Sequence, residues 1–475
     1  MSNSDDIARS SKENFRLSPN SSGPVFRSKV KISILFAVVT SALIIDMTFS
    51  TFSDILKEQS ASFWVIVSFV AIILTIYGIG QYFLLRYLKQ LSEEVRSKES
   101  NLNKLYKLLW VAQYIIAAIL FLAVFQIVFS THYYILSTVA ATSLSYALAC
   151  TVMSLVSYRF FSWYKSNRNN TVFLYALASG MVAISTGSHL ITHNSILLEK
   201  KPFEINASLK QDFPEISTRT VGYMANVFLY ANVLPLLLSF FFMYAGTVLL
   251  LGNYSKKLGK IKFWVIICLP LVFFLIGLLP TLVALPSGGF TFYNKNLVIF
   301  RIFSILAGSG GSIFIGVAFL TTAKSVNRIH PNSSIVSYLA IAGYGIMTIT
   351  IAIETPMYQA PYPPFGIAAS ASIGLMCYLY GLGIYLSAIS VSEDIKLRHA
   401  IRSYIIQESR LLDSIGTAQM EQQIEKTVLK IAKEQEEVLS GQTGVEPSMT
   451  EGDVKEYLET VLLEVKNLHD KKKRT

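Results

Sequence analysis

Residues 367–391 read IAASASIGLMCYLYGLGIYLSAISV, a run without a single charged side chain. An α-helix needs roughly 20 apolar residues to cross a hydrocarbon core about 30 Å thick, so this run is long enough to span a membrane. Nine earlier apolar runs are also about long enough to span a membrane. The ten predicted spans are residues 32–52, 63–85, 108–129, 133–156, 172–191, 227–251, 263–285, 302–322, 335–355 and 367–391.

The composition agrees with a lipid environment for the middle of the chain. Of the 475 residues, 52% are hydrophobic and 15% are charged, whereas soluble proteins carry about 25% charged residues. The sequence therefore predicts an all-α fold, a polytopic membrane helix bundle with about ten transmembrane helices and a cytoplasmic helical tail. Its parts are a disordered cytoplasmic N-terminal tail (1–31), the transmembrane domain (32–391) and the cytoplasmic helical tail (392–475).

Basic residues concentrate in every second gap between the predicted spans. Short loops rich in Lys and Arg stay on the cytoplasmic side, so this alternation predicts cytoplasmic N- and C-termini. The same loops account for the net charge of +11, and the predicted partner is the lipid bilayer rather than nucleic acid. The basic gaps are residues 27–31, 86–107, 159–168, 256–262, 324–328 and 396–402.

Four ionisable residues lie at or near the outer ends of predicted spans: Asp46, His189, His193 and Glu354. Ionisable groups at membrane depth are costly, so each is a candidate for function. His189 and His193 are four residues apart and share a helix face, which makes them candidate metal ligands. The four residues together are a candidate ligand-binding pocket that opens outward. The alternative is that they are scattered groups that reach interfacial water.

Small and amide side chains within the spans indicate helix packing. Gly308, Ser312 and Gly316 recur every four residues and so line one face of the eighth span, where small side chains let helix backbones approach closely. Gln81 and Gln113 are able to form hydrogen bonds between helices. We interpret all five as packing residues, with a pore lining as the alternative for the small-residue face.

Beyond Val391 the chain becomes charged and helix-prone, with two apolar stripes that differ in phase near Gly416. This pattern predicts a helix that continues from the last span and then a kink or a second helix. A final helix is predicted from about Thr450. Because an amphipathic helix cannot bury its stripe alone, the tail predicts a partner: a second copy, a cytoplasmic protein or the membrane surface. The stripes are Leu397, Ile401, Tyr404, Leu411 and Ile415, then Ile424, Val428, Ile431 and Val438, and in the final helix Val454, Leu458, Val461, Val465 and Leu468.

Two tail segments, SVSEDIKLRHAIR at residues 390–402 and ESRLLDSIGTAQME at residues 408–421, resemble an uncharacterised multi-pass membrane protein family of archaea. The YPPFG stretch at residues 362–366 is also similar to that family. The resemblance covers about the last quarter of the chain. It implies membrane location and no known activity, so it assigns no functional residue.

Motifs of known chemistry are missing from the sequence. There is no GxxxxGK[ST] phosphate loop and no GxSxG nucleophile turn, and the cysteines Cys150, Cys268 and Cys377 all lie within predicted spans. No enzymatic activity is predicted and no cofactor is identified. The favoured hypothesis is a sensor or receptor-like membrane protein with an outward pocket and a helical output. The alternatives are a small-solute or ion transporter or channel, and a structural subunit of a membrane complex.

Overall fold

The computed structural model of the chain is helical throughout its described part, apart from one two-residue strand pair. It describes residues 29–51, 63–96, 100–129, 132–133, 135–198, 203–204, 218–252, 259–284, 298–329, 333–353, 366–394, 410–443, 452 and 460. The predicted N-terminal tail up to residue 28, the segment 354–365 and most of the final predicted helix lie outside the described residues.

The described residues form eleven helices and one short antiparallel strand pair. The strands, β1 (His132–Tyr133) and β2 (Phe203–Glu204), join the turn after the third helix to the loop after the fifth. The helices are α1 (Lys29–Thr51), α2 (Phe63–Arg96), α3 (Ser100–Phe129), α4 (Ile135–Ser166), α5 (Asn170–Leu198), α6 (Thr218–Leu251), α7 (Lys260–Ala284), α8 (Val298–Ile329), α9 (Ser334–Ile353), α10 (Ile367–Glu393) and α11 (Arg410–Thr443).

Seven of these helices are long and apolar enough to cross a membrane, namely α2, α3, α4, α5, α6, α9 and α10. This number is consistent with an integral membrane protein and confirms the all-helical, membrane character of the prediction. The helices α1, α7 and α8 overlap the other three predicted spans but do not belong to the seven. Within α1, the described side chains form a shorter apolar segment, Leu35–Ser50.

Several helices run past the predicted spans at their basic ends. Helix α2 continues eleven residues beyond residue 85, and α3 begins eight residues before residue 108. The added turns are rich in Leu, Lys, Arg and Glu, which are good helix formers in water as well as in lipid. Hydropathy reports only the part of a helix that suits lipid, so it underestimated the length of both helices.

Helix α10 is the centre of the bundle, and almost every one of its residues is buried. Glycines on α10 and its neighbours remove the side chains that would separate the helices. A Cβ atom at Gly345 of α9 would lie 2.6 Å from the backbone N of Tyr380, and one at Gly383 would lie 2.6 Å from the carbonyl O of Tyr338. Helix α4 approaches the other side, where Gly374 faces the carbonyl O of Ser145.

The small-residue face of α8 packs against α9, as the sequence indicated. A Cβ atom at Gly316 would lie 2.7 Å from the carbonyl O of Gly343, and Ser312 is fully buried. The side chain position of residue 308 lies outside the described set. Gln81 and Gln113 are buried, and Gln81 Nε2 donates to Gln113 Oε1 at 2.6 Å between α2 and α3. These contacts agree with the packing interpretation for the four described residues, and for Gly308 it stays a prediction.

The tail helix α11 corrects the predicted kink. Helix α10 ends at Glu393, with Asp394 in an extended conformation, and α11 runs from Arg410 to Thr443 without a break at Gly416. Gly416 is required there because an added Cβ would overlap Val391 Cγ1. The two stripes of α11 differ in phase because this single helix has two apolar faces. At about 3.6 residues per turn, the faces lie on roughly opposite sides of it.

Candidate functional site

Asp46 of α1 caps the N-terminus of α10. Its Oδ1 accepts a hydrogen bond from the backbone N–H of Gly366 at 2.9 Å, and its Oδ2 accepts one from the N–H of Ala369 at 3.0 Å. The side chain is 3% exposed. A residue 320 positions away in the chain therefore satisfies donors that α10 cannot pair within itself.

Gly366 explains why this cap comes from another helix. Its φ of 84° lies in the left-handed region that favours glycine, and glycine has no side chain with which to cap the helix itself. The first N–H groups of a helix carry a partial positive charge, which a carboxylate complements. These two hydrogen bonds therefore tie the C-terminal half of α1 to the first turn of the central helix.

A second group of polar side chains joins α4, α5 and α6. The His189 ring stacks on the Tyr146 ring, with centroids 5.8 Å apart. Close by along the same helices, Ser143 donates to Asn194 Oδ1 at 2.6 Å, and Asn232 Nδ2 donates to Thr192 Oγ1 at 3.0 Å. His189 thus belongs to a polar and aromatic layer where the three helices meet.

Helix α4 connects this layer to the Asp46 cap. Ser145, the neighbour of Tyr146, donates to the carbonyl O of Ala371 at 2.9 Å and accepts from the N–H of Gly374 at 3.2 Å. Ala371 lies within two turns of Gly366, which Asp46 holds. Asp46 and His189 are therefore both linked to the first turns of α10, Asp46 directly and His189 through α4.

The other two predicted site residues lie beyond the described part. Glu354 directly follows the last residue of α9, and the side chain of His193 is outside the described set, although its backbone belongs to α5. Among the described side chains, no three His, Cys, Asp or Glu converge to hold a metal ion. The metal site at His189 and His193, and the shared pocket of the four residues, stay predictions.

At its opposite end α10 carries the docked tail helix. Leu411, Leu412, Ile415 and Ala418 of α11 are almost completely buried, and α11 contacts α10, α4 and α5. Four side-chain hydrogen bonds hold it in place: Trp163 Nε1 to Gln419 Oε1 (3.1 Å), Asn169 Nδ2 to Ser414 Oγ (2.6 Å), Gln422 Nε2 to Ser162 Oγ (2.7 Å) and Ser392 Oγ to Gln423 Oε1 (3.2 Å).

Asn169 has a double role in this docking. Its Oδ1 accepts from the backbone N–H of Thr171 at 2.8 Å and so caps the N-terminus of α5, while its Nδ2 reaches Ser414 of α11. Sequence reasoning did not select Asn169 or Trp163. The available signal was the pair of asparagines just before an apolar run, which is typical of a helix N-terminus, but its tertiary partner leaves no local trace.

Comparison of the chain with protein-family models, with curated proteins and with solved structures finds no match. The resemblance of the tail to an archaeal membrane family therefore stays a prediction. Function is inferred from the residues of this chain alone, and the feature that stands out is α10, with a buried carboxylate at one end and a docked helix at the other.

Proposed function

We propose that the chain is a ten-span membrane sensor in which α10 connects an outward input to the tail helix α11. In this proposal both termini are cytoplasmic, and the remaining three spans are α1, α7 and α8. The observation that carries the proposal is the pair of contacts at the ends of α10. Asp46 holds its first turn, and α11 packs against its last turn through Val391 and Ser392.

The geometry supports transmission along α10 for a mechanical reason. A 27-residue helix is about 40 Å long, and α10 is packed on all sides, so it moves as a rod rather than bending locally. A small shift of its outer end therefore changes the surface that α11 meets at the inner end. Interfaces of packed helices switch between discrete arrangements, which is how small shifts become signals.

The input in this proposal is a small polar solute or ion that reaches the outer ends of the spans. Asp46, His189, His193 and Glu354 are its proposed ligand-binding residues. Glu354 is the first residue of the segment 354–365, and Asp46 binds Gly366, the residue that follows this segment. A ligand that engages either carboxylate would alter the restraint on the first turn of α10.

The test measures tail docking while the outer end is changed. Ser162→Cys and Gln422→Cys replace a hydrogen-bonded pair between α4 and α11, in a chain whose three native cysteines are replaced by alanine. A short bismaleimide links the two cysteines only when α11 is docked. Asp46→Asn, which disturbs the cap, should slow this reaction by roughly fivefold or more, the lower end of typical coupling between two sites.

Thr48→Ala is the matched control, since Thr48 Oγ1 donates to the carbonyl O of Ile44 within α1. It should leave the cross-linking rate unchanged. All proteins are first shown to keep their helix content and thermal stability in the same detergent. Equal cross-linking rates in Asp46→Asn and in the unchanged protein would show that α10 does not couple its two ends, and would overturn the sensor proposal.

A further inference from the structure

The second half of α11 has an apolar stripe that the bundle does not cover. Ile424 is 40% exposed and Ile431 is 48% exposed, and Val428 between them is half-buried. Leu411, Ile415 and Ala418, which dock α11 on the bundle, lie on roughly the opposite side of the helix. The stripe therefore faces away from the bundle. An exposed apolar stripe of this kind needs a partner.

We propose that this partner is the C-terminal segment of the same chain, residues 450–470, which folds back on α11 as an antiparallel helix. The stripe on α11 extends from Ile424 to Val438 and that of the segment from Val454 to Leu468. Each covers about 21 Å at 1.5 Å per residue. The two stripes therefore match in length over about four helical turns.

The register supports an intramolecular hairpin. Three of the four stripe residues of α11 have an apolar counterpart at equal sequence distance from Glu446: Val438 with Val454, Ile431 with Val461, and Ile424 with Leu468. A hairpin that turns at residues 444–450 brings all three pairs level at once. Such a connection is within the two to about eight residues usual between antiparallel helices, and Gly444 and Pro447 are turn formers.

Two residues of the segment are described, and both agree with this arrangement. Gly452 and Thr460 are helical and exposed. At about 3.6 residues per turn, both lie on the side of the segment away from its apolar stripe. Tethering also favours the segment over a second copy, because a short linker makes its local concentration millimolar. The tail is then a closed two-helix unit, and a cytoplasmic partner has to displace residues 450–470 to reach α11.

Cysteine pairs in the full-length, otherwise cysteine-free protein test the hairpin. Ile431→Cys with Val461→Cys places one thiol on each stripe. Glu436→Cys with Glu456→Cys is the matched control, since these residues are also equidistant from Glu446 but lie off both stripes. The stripe pair should form a disulfide roughly tenfold faster or more than the control pair. The hairpin holds the two stripe thiols against each other at high effective concentration, whereas the control thiols point away from the contact between the helices.

The experiment uses an equal mixture of ¹⁴N-labelled and ¹⁵N-labelled protein in detergent, with the linked peptides identified by mass spectrometry. If every cross-linked peptide carries a single label, the linkage lies within one chain, as expected. Peptides of mixed label would show that a second copy covers the stripe and would overturn the proposal. Equal rates for the stripe and control pairs, or no disulfide in either, would also overturn it, since both contradict a fixed helix pair.

Discussion

Replacing Asp46 by alanine should destabilise the bundle, because it removes the cap that joins α1 to α10. The change removes two hydrogen bonds, to the N–H groups of Gly366 and Ala369, at a site that is almost fully buried. Each buried donor left unpaired costs about 1–3 kcal/mol. The loss is partly offset because a carboxylate no longer has to be kept out of water.

We therefore expect Asp46→Ala to lower the free energy of unfolding by about 2–3 kcal/mol, above the ~1 kcal/mol typical of an exposed helix cap. Asp46→Asn should lose roughly half as much, because an amide has one acceptor oxygen and would present its own N–H groups to the second donor. The free energies come from titration of the detergent-solubilised protein with SDS, followed by circular dichroism and tryptophan fluorescence.

Thr48→Ala is again the control, and it should change the free energy of unfolding by less than about 0.5 kcal/mol. Hydrogen exchange gives a local readout, since the amides of Gly366 and Ala369 should exchange faster in Asp46→Ala while the amides of α11 report whether the effect spreads. The reasoning is wrong if Asp46→Ala and Thr48→Ala are equally stable, or if the two amides keep their protection.

Other contacts lead to predictions of the same kind. Gly345→Val should destabilise the bundle by about 2–3 kcal/mol, because the new side chain meets the backbone of Tyr380; a thermal melt no different from that of the unchanged protein would contradict this. Trp163→Phe should leave the Gln419 amide oxygen unpaired and weaken tail docking by about 1–2 kcal/mol, seen as faster trypsin cleavage within α11. Gln81→Leu should cost about 1 kcal/mol by leaving its amide partner on α3 unpaired, measured by SDS titration, and equal stability would refute it.

Hydropathy was sufficient to locate the helices of the bundle, because burial in lipid is a property of each run of side chains taken alone. All ten predicted spans overlap a helix, and seven of those helices are long and apolar enough to cross a membrane. The ends were less predictable. Helices α2 and α3 extend into their basic flanks because backbone hydrogen bonds and Lys, Arg and Glu side chains favour a helix in water as well.

Of the candidate site, the sequence singled out Asp46 and His189 because charged and titratable groups are costly at membrane depth. It did not reveal what they contact. Asp46 binds the first turn of a helix 320 residues away, and His189 stacks on Tyr146 of α4. Such pairings depend on which helices are neighbours, and the periodicity of any one helix carries no information about its neighbours.

In the tail, too, the sequence predicted a helix and its apolar faces but not the contacts that these faces make. The stripes of α11 were visible in the sequence, since apolar side chains recur at helical spacing wherever a face is to be buried. Their change of phase predicted a kink, but the packed structure has one continuous helix with two faces, and Gly416 is small because Val391 lies against it. Local patterns specify that a helix forms and which faces need cover, whereas only the packing of distant segments specifies what covers each face.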